Sequence, residues 1–300
     1  MANPNEFYDD IKGIINNWKK ANPIACHYLG IHDYDGTLPN FSKEAVINRI
    51  DELKEDITYL ISLRADYSDS YTLFEFNLVK LALEKELFEL ETRKEYTNNP
   101  LFFIRALSII EGSYTLRSFA PLEKRIDSII SIETKIPEFL SYAYEWLEES
   151  LPSVKVNLSI QYLQGIINYY KNKLIEFIEL SADTNKKITW EKTNATAIKT
   201  MEEFLDKLRD NFLPNSHNKF ALGSENYLKL LSKQEFVSID LAELLLIGEK
   251  DLDRNYQALK DILKKKGGRK YLDEVLEDYP EADELVSYAK STLDRVLQFL

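Results

Sequence analysis

Apolar residues recur every three or four positions along most of the chain, which is the spacing of a helix with one buried face. Residues 158–180 carry such a stripe, formed by Ile160, Leu163, Ile167, Tyr170, Leu174 and Phe177. Further stripes predict a helix that begins after Ser42, a common N-capping residue type, and a long helix over about 68–98. No stretch has a convincing hairpin or βαβ pattern. The pattern predicts an all-α protein, an irregular multi-helical array of about nine to twelve helices.

Prolines and short polar stretches divide this helical pattern. The dipeptides Asn22-Pro23 and Asn99-Pro100 are typical of helix starts, with proline at the first helical position. Pro137 is expected at a helix boundary, because proline interrupts the hydrogen bonds inside a helix. We predict a loop at about 151–157 and expect two helical sub-bundles to divide near 150–157.

Composition narrows the class of protein. Acidic residues outnumber basic ones, 50 to 38, so the net charge is -12 and the long-range field repels nucleic acid and anionic lipid. The longest apolar runs fall short of the ~18–20 residues of a membrane span, and the first residues lack the basic and apolar regions of a signal peptide. We therefore expect a soluble, cytoplasmic protein with no nucleic-acid and no membrane partner.

The stretch CHYLGIHDYDGTLP, residues 26–39, brings together a thiol, two of the chain's 3 histidines and two aspartates. The adjacent Cys26 and His27 would point apart on a helix, and Gly30, a residue type that ends helices, separates His27 from His32. A metal site needs three or four converging ligands, so this spacing is poor for one. Together with the Asp-Gly turn signal that follows, it favours a structured loop with locally hydrogen-bonded histidine and aspartate.

The other reactive side chains are also expected to have structural rather than catalytic roles. Carboxylates between Glu84 and Glu95 interleave with basic residues and no Glu-x-x-His motif occurs, so we expect surface ion pairs rather than a di-metal site. His217 has no nucleophile motif around it and is predicted to be a surface loop residue. The sequence indicates no catalytic, cofactor-binding or metal-binding residue in this chain.

A second compact signature covers Phe220–Arg254, a glycine turn followed by two amphipathic helices. Glu225 and Tyr227 lie within it and could line a groove, although packing and capping are the default roles for such residues.

The two signatures resemble, in the same order along the chain, those of the family called domain of unknown function 885. ANPIACHYLGIHDYDGTLPNFSKEAV contains the family's Leu-Gly-x-His-x-x-Asp loop followed by Leu-Pro, with His32 and Asp35 at the named positions. The pieces NNPLFFIRAL, FAPLEKRI, FALGSENYLKLL and LAELLLIGEKDL agree as well. The resemblance therefore spans nearly the whole chain.

The family is similar to zincin metallopeptidases, so the resemblance implies a largely helical fold that encloses a cleft. It also implies a zinc motif, a His-Glu pair followed shortly by Gly-His-His, in the C-terminal half of the family. None of the 3 histidines here precedes a glutamate. Residues 1–300 therefore resemble the N-terminal half only, and a helical pattern that still runs at Leu300 indicates a truncated chain.

The leading hypothesis is that this chain is the helical N-terminal portion of a zincin-like metallohydrolase, forms one wall of the substrate cleft and is inactive by itself. Its partner would be the missing C-terminal catalytic half, or an equivalent chain, which would carry zinc, and its substrate would be a peptide. His32, Asp35, Glu225 and Tyr227 are the candidate cleft or signature residues. The alternative is a self-standing, non-catalytic helical scaffold or binding protein, which a lack of exposed apolar surface would favour.

Overall fold

The structure, a computed structural model, describes residues 4–299 of the chain. In this range the chain forms fifteen α-helices and no strand, which confirms the all-α prediction. The helices are α1 (Pro4–Asp10), α2 (Lys12–Ala21), α3 (Pro23–Tyr28), α4 (Lys43–Ser62), α5 (Ser70–Phe88), α6 (Glu95–Asn98), α7 (Leu101–Leu107), α8 (Leu122–Trp146), α9 (Ser153–Asn172), α10 (Leu174–Ile178), α11 (Thr184–Lys207), α12 (Ser224–Glu235), α13 (Leu241–Lys266), α14 (Arg269–Glu277) and α15 (Leu285–Phe299). None of these helices combines the length and the hydropathy needed to cross a bilayer.

The chain divides into two compact units, the first ending at Val237 and the second beginning at Ser238. The first contains α1–α12 and the second contains α13–α15. The stretch 150–157, where we expected two sub-bundles to divide, lies inside the first unit. Leu300, where the sequence indicated a truncated helix, lies outside the described residues.

The main core of the first unit forms around α8. Isoleucines at positions 126, 129, 132 and 136 repeat every three or four residues, and each has a relative exposure of 0%. They share one cluster with buried residues of α7, α9 and α11, and α11 packs along α8. Because burial of such a side chain contributes about 1.5–3 kcal/mol, this stripe places α8 at the centre of the unit.

A smaller core joins the first helices to α4 and α5. Phe7 and Ile14 share a buried cluster with Leu53 and Leu60 of α4 and with Leu83 of α5. This cluster brings α2, α4 and α5 side by side, and the groove described below lies between them.

Capping explains where several helices begin. The Ser42 Oγ accepts a hydrogen bond from the Ala45 N–H at 3.2 Å, so the predicted start of α4 is confirmed. The Asn99 Oδ1 accepts from the Leu101 N–H at 3.2 Å, one residue later than the predicted start of α7. The proline after Asn22 opens α3 as predicted, but the Asn22 side chain donates to the end of the preceding helix instead of capping.

Two predicted helices are interrupted. The helix expected over about 68–98 ends as α5 at Phe88, continues as a π turn over Glu89–Arg93 and breaks at Lys94. Lys94 has φ 45°, a left-handed conformation in which an α-helix of L-residues cannot continue. The helix expected over 158–180 is likewise split, into α9 and α10. These short pieces raise the helix number above the expected range.

Two boundary predictions are wrong. Pro137 lies inside α8, because its neighbours Ile136 and Leu140 are fully buried and their packing outweighs the roughly 3 kcal/mol that an interior proline costs. The loop expected at about 151–157 is mostly helical, since α9 begins at Ser153.

Candidate functional site

The end of α3 brings two histidines together. The Gly30 N–H donates to the His27 carbonyl at 3.1 Å and the Ile31 N–H donates to the Cys26 carbonyl at 2.9 Å, which is the bonding pattern of a Schellman cap. Gly30 has φ 78°, so the chain reverses direction there at little steric cost. The next residues form a 3₁₀ turn that places the His32 ring 5.3 Å from the His27 ring, measured between centroids. The expectation that Gly30 keeps the two histidines apart is therefore wrong.

Asp35 joins both imidazoles. Its Oδ1 lies 2.6 Å from the His27 Nδ1 and its Oδ2 lies 3.0 Å from the His32 Nδ1. On its other side, the His27 Nε2 lies 2.7 Å from the Ser113 Oγ. The expected local hydrogen bonding of histidine and aspartate is thus present, and it includes His27, which the sequence had not marked as a site residue.

Two aromatic rings hold the imidazoles in place. Tyr114 stacks on His27 with centroids 4.5 Å apart, and Phe119 stacks on His32 with centroids 4.7 Å apart. The Tyr114 hydroxyl also accepts a hydrogen bond from the Gly36 N–H at 2.9 Å. Burial raises the pKa of the Tyr114 phenol, so this ring stays neutral and donates or accepts hydrogen bonds at physiological pH. Each imidazole therefore has one face fixed by stacking.

The loop that carries Asp35 is fastened to α8. The Gly36 carbonyl accepts from the Ser131 Oγ and from the Lys135 Nζ, each at 2.8 Å. Gly36 has φ 75°, and a Cβ there would lie 3.1 Å from the Ser128 Cα, so the site requires glycine. This contact keeps the Asp35 carboxylate beside the histidines.

Exposure decides what this cluster can do. Ser113, His27 and Asp35 form the bonding order of a nucleophilic triad, but Ser113 has a relative exposure of 0% and no substrate can reach its hydroxyl. The His32 side chain is 35% exposed and is the member of the cluster that solvent reaches most freely. The cluster is therefore suited to holding a small ligand or ion at His32 rather than to acyl transfer at Ser113.

The other candidate residues lie apart from this cluster. Glu225 is exposed on α12 and forms an ion pair with Lys229 at 2.7 Å, which lowers the Glu225 pKa. Tyr227 is 40% exposed on the same helix. Among the described contacts, neither residue shares a hydrogen bond or a ring contact with His32 or Asp35. The structure thus unites His32 with Asp35 and leaves the α12 pair without a common site.

The structure places the remaining sequence candidates in structural roles. The carboxylates of α5 and its π turn form ion pairs, as expected, but several of their partners lie on other helices: Glu86 pairs with Arg49, Glu91 with Lys54 and Glu84 with Lys233. His217 is a half-buried loop residue whose backbone pairs with the segment before α9. These contacts account for both features without a ligand.

A groove of about 690 Å³ lies between α2, α4 and α5, outside the histidine cluster. Its lining combines amide, charged and aromatic side chains, including those of Asn17, Trp18, Asn48, Arg49, Glu86 and Phe102. Arg49 is buried and binds Glu86 through two hydrogen bonds of 2.7 and 3.0 Å. Sequence reasoning missed this groove because its residues are far apart along the chain and form no motif.

Comparison with known proteins identifies a family and a shared fold. Residues 23–300 match the family described as bacterial protein of unknown function (DUF885). A solved structure from Shewanella oneidensis, described as "a putative lipoprotein of unknown function", is similar with a TM-score of 0.78 at 16% identity. That likeness covers 100% of this chain and 57% of the other, so this chain spans little more than half of the other's length.

At this level of identity the likeness to the solved structure shows the fold alone. The comparison with curated proteins found no match. The family match covers most of the chain, in agreement with the resemblance of its signatures, and it assigns no activity. The chain belongs to the DUF885 family of bacterial proteins of unknown function.

Proposed function

We propose that this chain is the helical N-terminal portion of a zincin-like metallohydrolase, related to peptidases. It forms one wall of the substrate cleft and is inactive by itself. Support comes from the collinear signatures, which resemble a family similar to zincin metallopeptidases, and from the surface of the second unit.

The observation that carries the proposal is the uncovered apolar surface of α13–α15. None of these helices contains a buried residue. Their exposed apolar side chains include Leu245, Leu252, Leu259, Leu276, Val286, Leu293 and Leu297. Leu245, Leu252 and Leu259 recur every seven residues and so share one face of α13. An exposed apolar face of this kind marks an interaction site, because its contact with water is unfavourable. Further protein is expected to cover it, which fits a chain that forms one part of a larger architecture.

The same surface weakens the alternative. A self-standing scaffold should bury the apolar stripes of its helices, whereas here a complete set of three amphipathic helices leaves them open. No observation favours the scaffold in return.

Zinc and the general base belong to the missing half in this proposal. A zinc hydrolase needs protein ligands and a base that activates water, and the family's His-Glu motif has no counterpart in this chain. The cluster of His27, His32 and Asp35 does not match that motif. No catalytic step is therefore assigned to a residue of this chain.

The contribution of this chain would be substrate binding. The groove between α2, α4 and α5 offers amide groups that can bind a peptide backbone, beside the aromatic rings of Trp18 and Phe102 that can contact apolar side chains. Arg49 and Glu86, two of its charged residues, neutralise each other as an ion pair, so the groove between them and the aromatic rings suits a neutral, extended peptide. The expected substrate class is a peptide rather than a nucleotide or a lipid.

The test compares two samples: the protein purified from its native source, with its intact mass measured, and the 300-residue chain alone. We expect the native protein to exceed 35.0 kDa, to contain zinc and to hydrolyse members of a peptide library in a reaction that a chelator abolishes. The chain alone should hydrolyse none. A native protein that has the same mass as this chain, or a larger one that hydrolyses no peptide while loaded with zinc, would refute the proposal.

A further inference from the structure

We propose that His27, His32 and Asp35 together bind one divalent transition-metal ion of the zinc type. The site rests on contacts inside this chain and does not depend on the proposed function.

The donor atoms of the three side chains converge. One ligand atom from each residue lies within 4.8 Å of the other two. Zinc holds nitrogen and oxygen ligands at about 2.0–2.2 Å, so two donors on one ion are separated by at most about 4.4 Å. The three donors therefore already lie close to the separations that one ion requires.

The donor types suit zinc and its neighbours in the first transition row. Two imidazoles and one carboxylate are a ligand set that such ions accept, and three protein ligands leave a position open for water or another ligand. The Cys26 thiol is not part of the set, because its Sγ is directed to the Lys19 carbonyl at 3.4 Å. Ca²⁺ and Mg²⁺ are disfavoured, since they prefer ligands that are all oxygen.

The surroundings position these donors. A histidine that binds a metal usually bonds its other ring nitrogen to a second group, and here the His27 Nε2 bonds to the Ser113 Oγ. That bond leaves the Nδ1 of His27 directed at Asp35. Stacking by Tyr114 and Phe119 restricts rotation of the two imidazoles, so little conformational entropy is lost on binding.

The site also has an inner wall and an entrance. Ser113 and Tyr114 are buried and keep bulk water from the inner side. The His32 side chain is 35% exposed, so an ion can enter from its side. A neutral imidazole that binds a metal through Nδ1 carries its proton on Nε2, and the His27 Nε2 would then donate that proton to the Ser113 Oγ, 2.7 Å away.

The experiment uses the 300-residue chain, stripped of metal by a chelator and dialysed. Zn²⁺ binding is measured by calorimetry, and Co²⁺ is added as a probe whose visible absorption reports coordination by nitrogen ligands. The principal variant is His32→Asn, because His32 is the partly exposed ligand and its replacement disturbs the core least. The matched control is His217→Asn, which alters the one histidine outside the cluster.

We expect the chain to bind one Zn²⁺ ion. His32→Asn should weaken binding by at least about tenfold, because even the loss of a residue that only hydrogen-bonds to a metal ligand costs about that much. Ser113→Ala should weaken it by about 10–100-fold through the loss of that outer bond. His217→Asn should bind as the unaltered chain does. Circular dichroism confirms that each variant is folded before titration.

Two results would overturn the site. One is a chain that binds neither Zn²⁺ nor Co²⁺ when the ion is in excess, and the other is equal binding by the unaltered chain and His32→Asn. Either would mean that the three side chains act only as a hydrogen-bonded clamp of the loop.

Discussion

At the scale of single residues, a buried carboxyl group has the clearest consequence for stability. Glu133 on α8 has a relative exposure of 0%, and the donors that reach it are neutral: the Trp190 Nε1 at 3.3 Å and the Thr193 Oγ1 at 3.2 Å. Burial without a cation penalises the charged form and raises the Glu133 pKa from 4.5 to about 8. Folding therefore keeps a proton on this group that the unfolded chain has already lost at neutral pH.

Stability should fall as pH rises from 4.5 to about 8, because over this window the unfolded chain releases the Glu133 proton and the folded chain retains it. Glu133→Gln keeps the donors bonded and removes the titration. We expect this variant to be more stable than the unaltered chain at pH 9 by a few kcal/mol, since each unit of pKa shift corresponds to about 1.4 kcal/mol. At pH 4 it should show little gain. Denaturant unfolding at pH 4, 7 and 9 measures both. The exposed Glu191→Gln is the control, and an equal change in both variants would contradict this role of Glu133.

Two glycines offer a matched pair of substitutions. Gly36→Ala should destabilise the first unit by about 1–3 kcal/mol, because φ is 75° and the added Cβ would lie 3.1 Å from the Ser128 Cα. Gly165→Ala, inside α9, meets nothing within 4 Å and should stabilise by about 0.5–1 kcal/mol. Thermal or urea unfolding measures the change in stability of each variant and shows whether it is a loss or a gain. A neutral Gly36→Ala would mean that the loop is not held against α8 as described.

At the scale of helices, two ion pairs of different burial join α4 to α5 and to the π turn that follows α5. Arg49 is 8% exposed and binds Glu86 bidentately, whereas Lys54 and Glu91 pair at 2.6 Å with side chains 50% and 40% exposed. Glu86→Gln should destabilise by about 1–3 kcal/mol, since it leaves a buried guanidinium with less compensation. Glu91→Gln should change stability much less than Glu86→Gln does, because solvent screens an exposed pair. Chemical unfolding measures the change in the free energy of unfolding for both variants. Equal changes would show that burial does not govern the strength of these pairs.

Element boundaries show which local signals hold. Ser42 caps α4 as its residue type indicates, because the cap depends only on neighbouring backbone groups. Pro137 does not end α8, because the buried stripe on both sides of it packs against other helices. Local rules therefore predict a boundary well where no tertiary contact opposes them.

At the scale of the whole chain, the second unit differs from the first. Its helices have apolar stripes but, among the described residues, none that is buried, so hydrophobic burial contributes little to the stability of this unit. The first unit has two buried clusters of its own. The exposed apolar side chains of α13–α15 are therefore the surface on which the proposed association is tested.

We expect the 300-residue chain to self-associate as its concentration rises, with exposed apolar groups of α13 in the contact. Leu252→Glu and Leu259→Glu together should reduce this association, because the two residues have relative exposures of 69% and 44% and a charge at each would keep this face of the helix in water. Light scattering after size-exclusion chromatography measures the mass. A chain that stays monomeric and binds no apolar dye would favour the self-standing scaffold instead.

The sequence by itself determined the helical class, the amphipathic stripes and the capped start of α4, because each depends on spacing or on contacts a few residues apart. It also placed His32 and Asp35 in one loop. Only the tertiary structure decided that His27 joins them, since this needs the reversal at Gly30 and a hydrogen bond to Ser113, 86 residues away.

The groove around Arg49 and Glu86 likewise arises from residues 37 positions apart that meet when α4 packs on α5. The physical reason is the same in both cases. Periodicity records which face of a helix is buried, whereas a site forms where side chains from separate segments converge, and the backbone turns and helix packing that produce this convergence leave no periodic mark in the sequence.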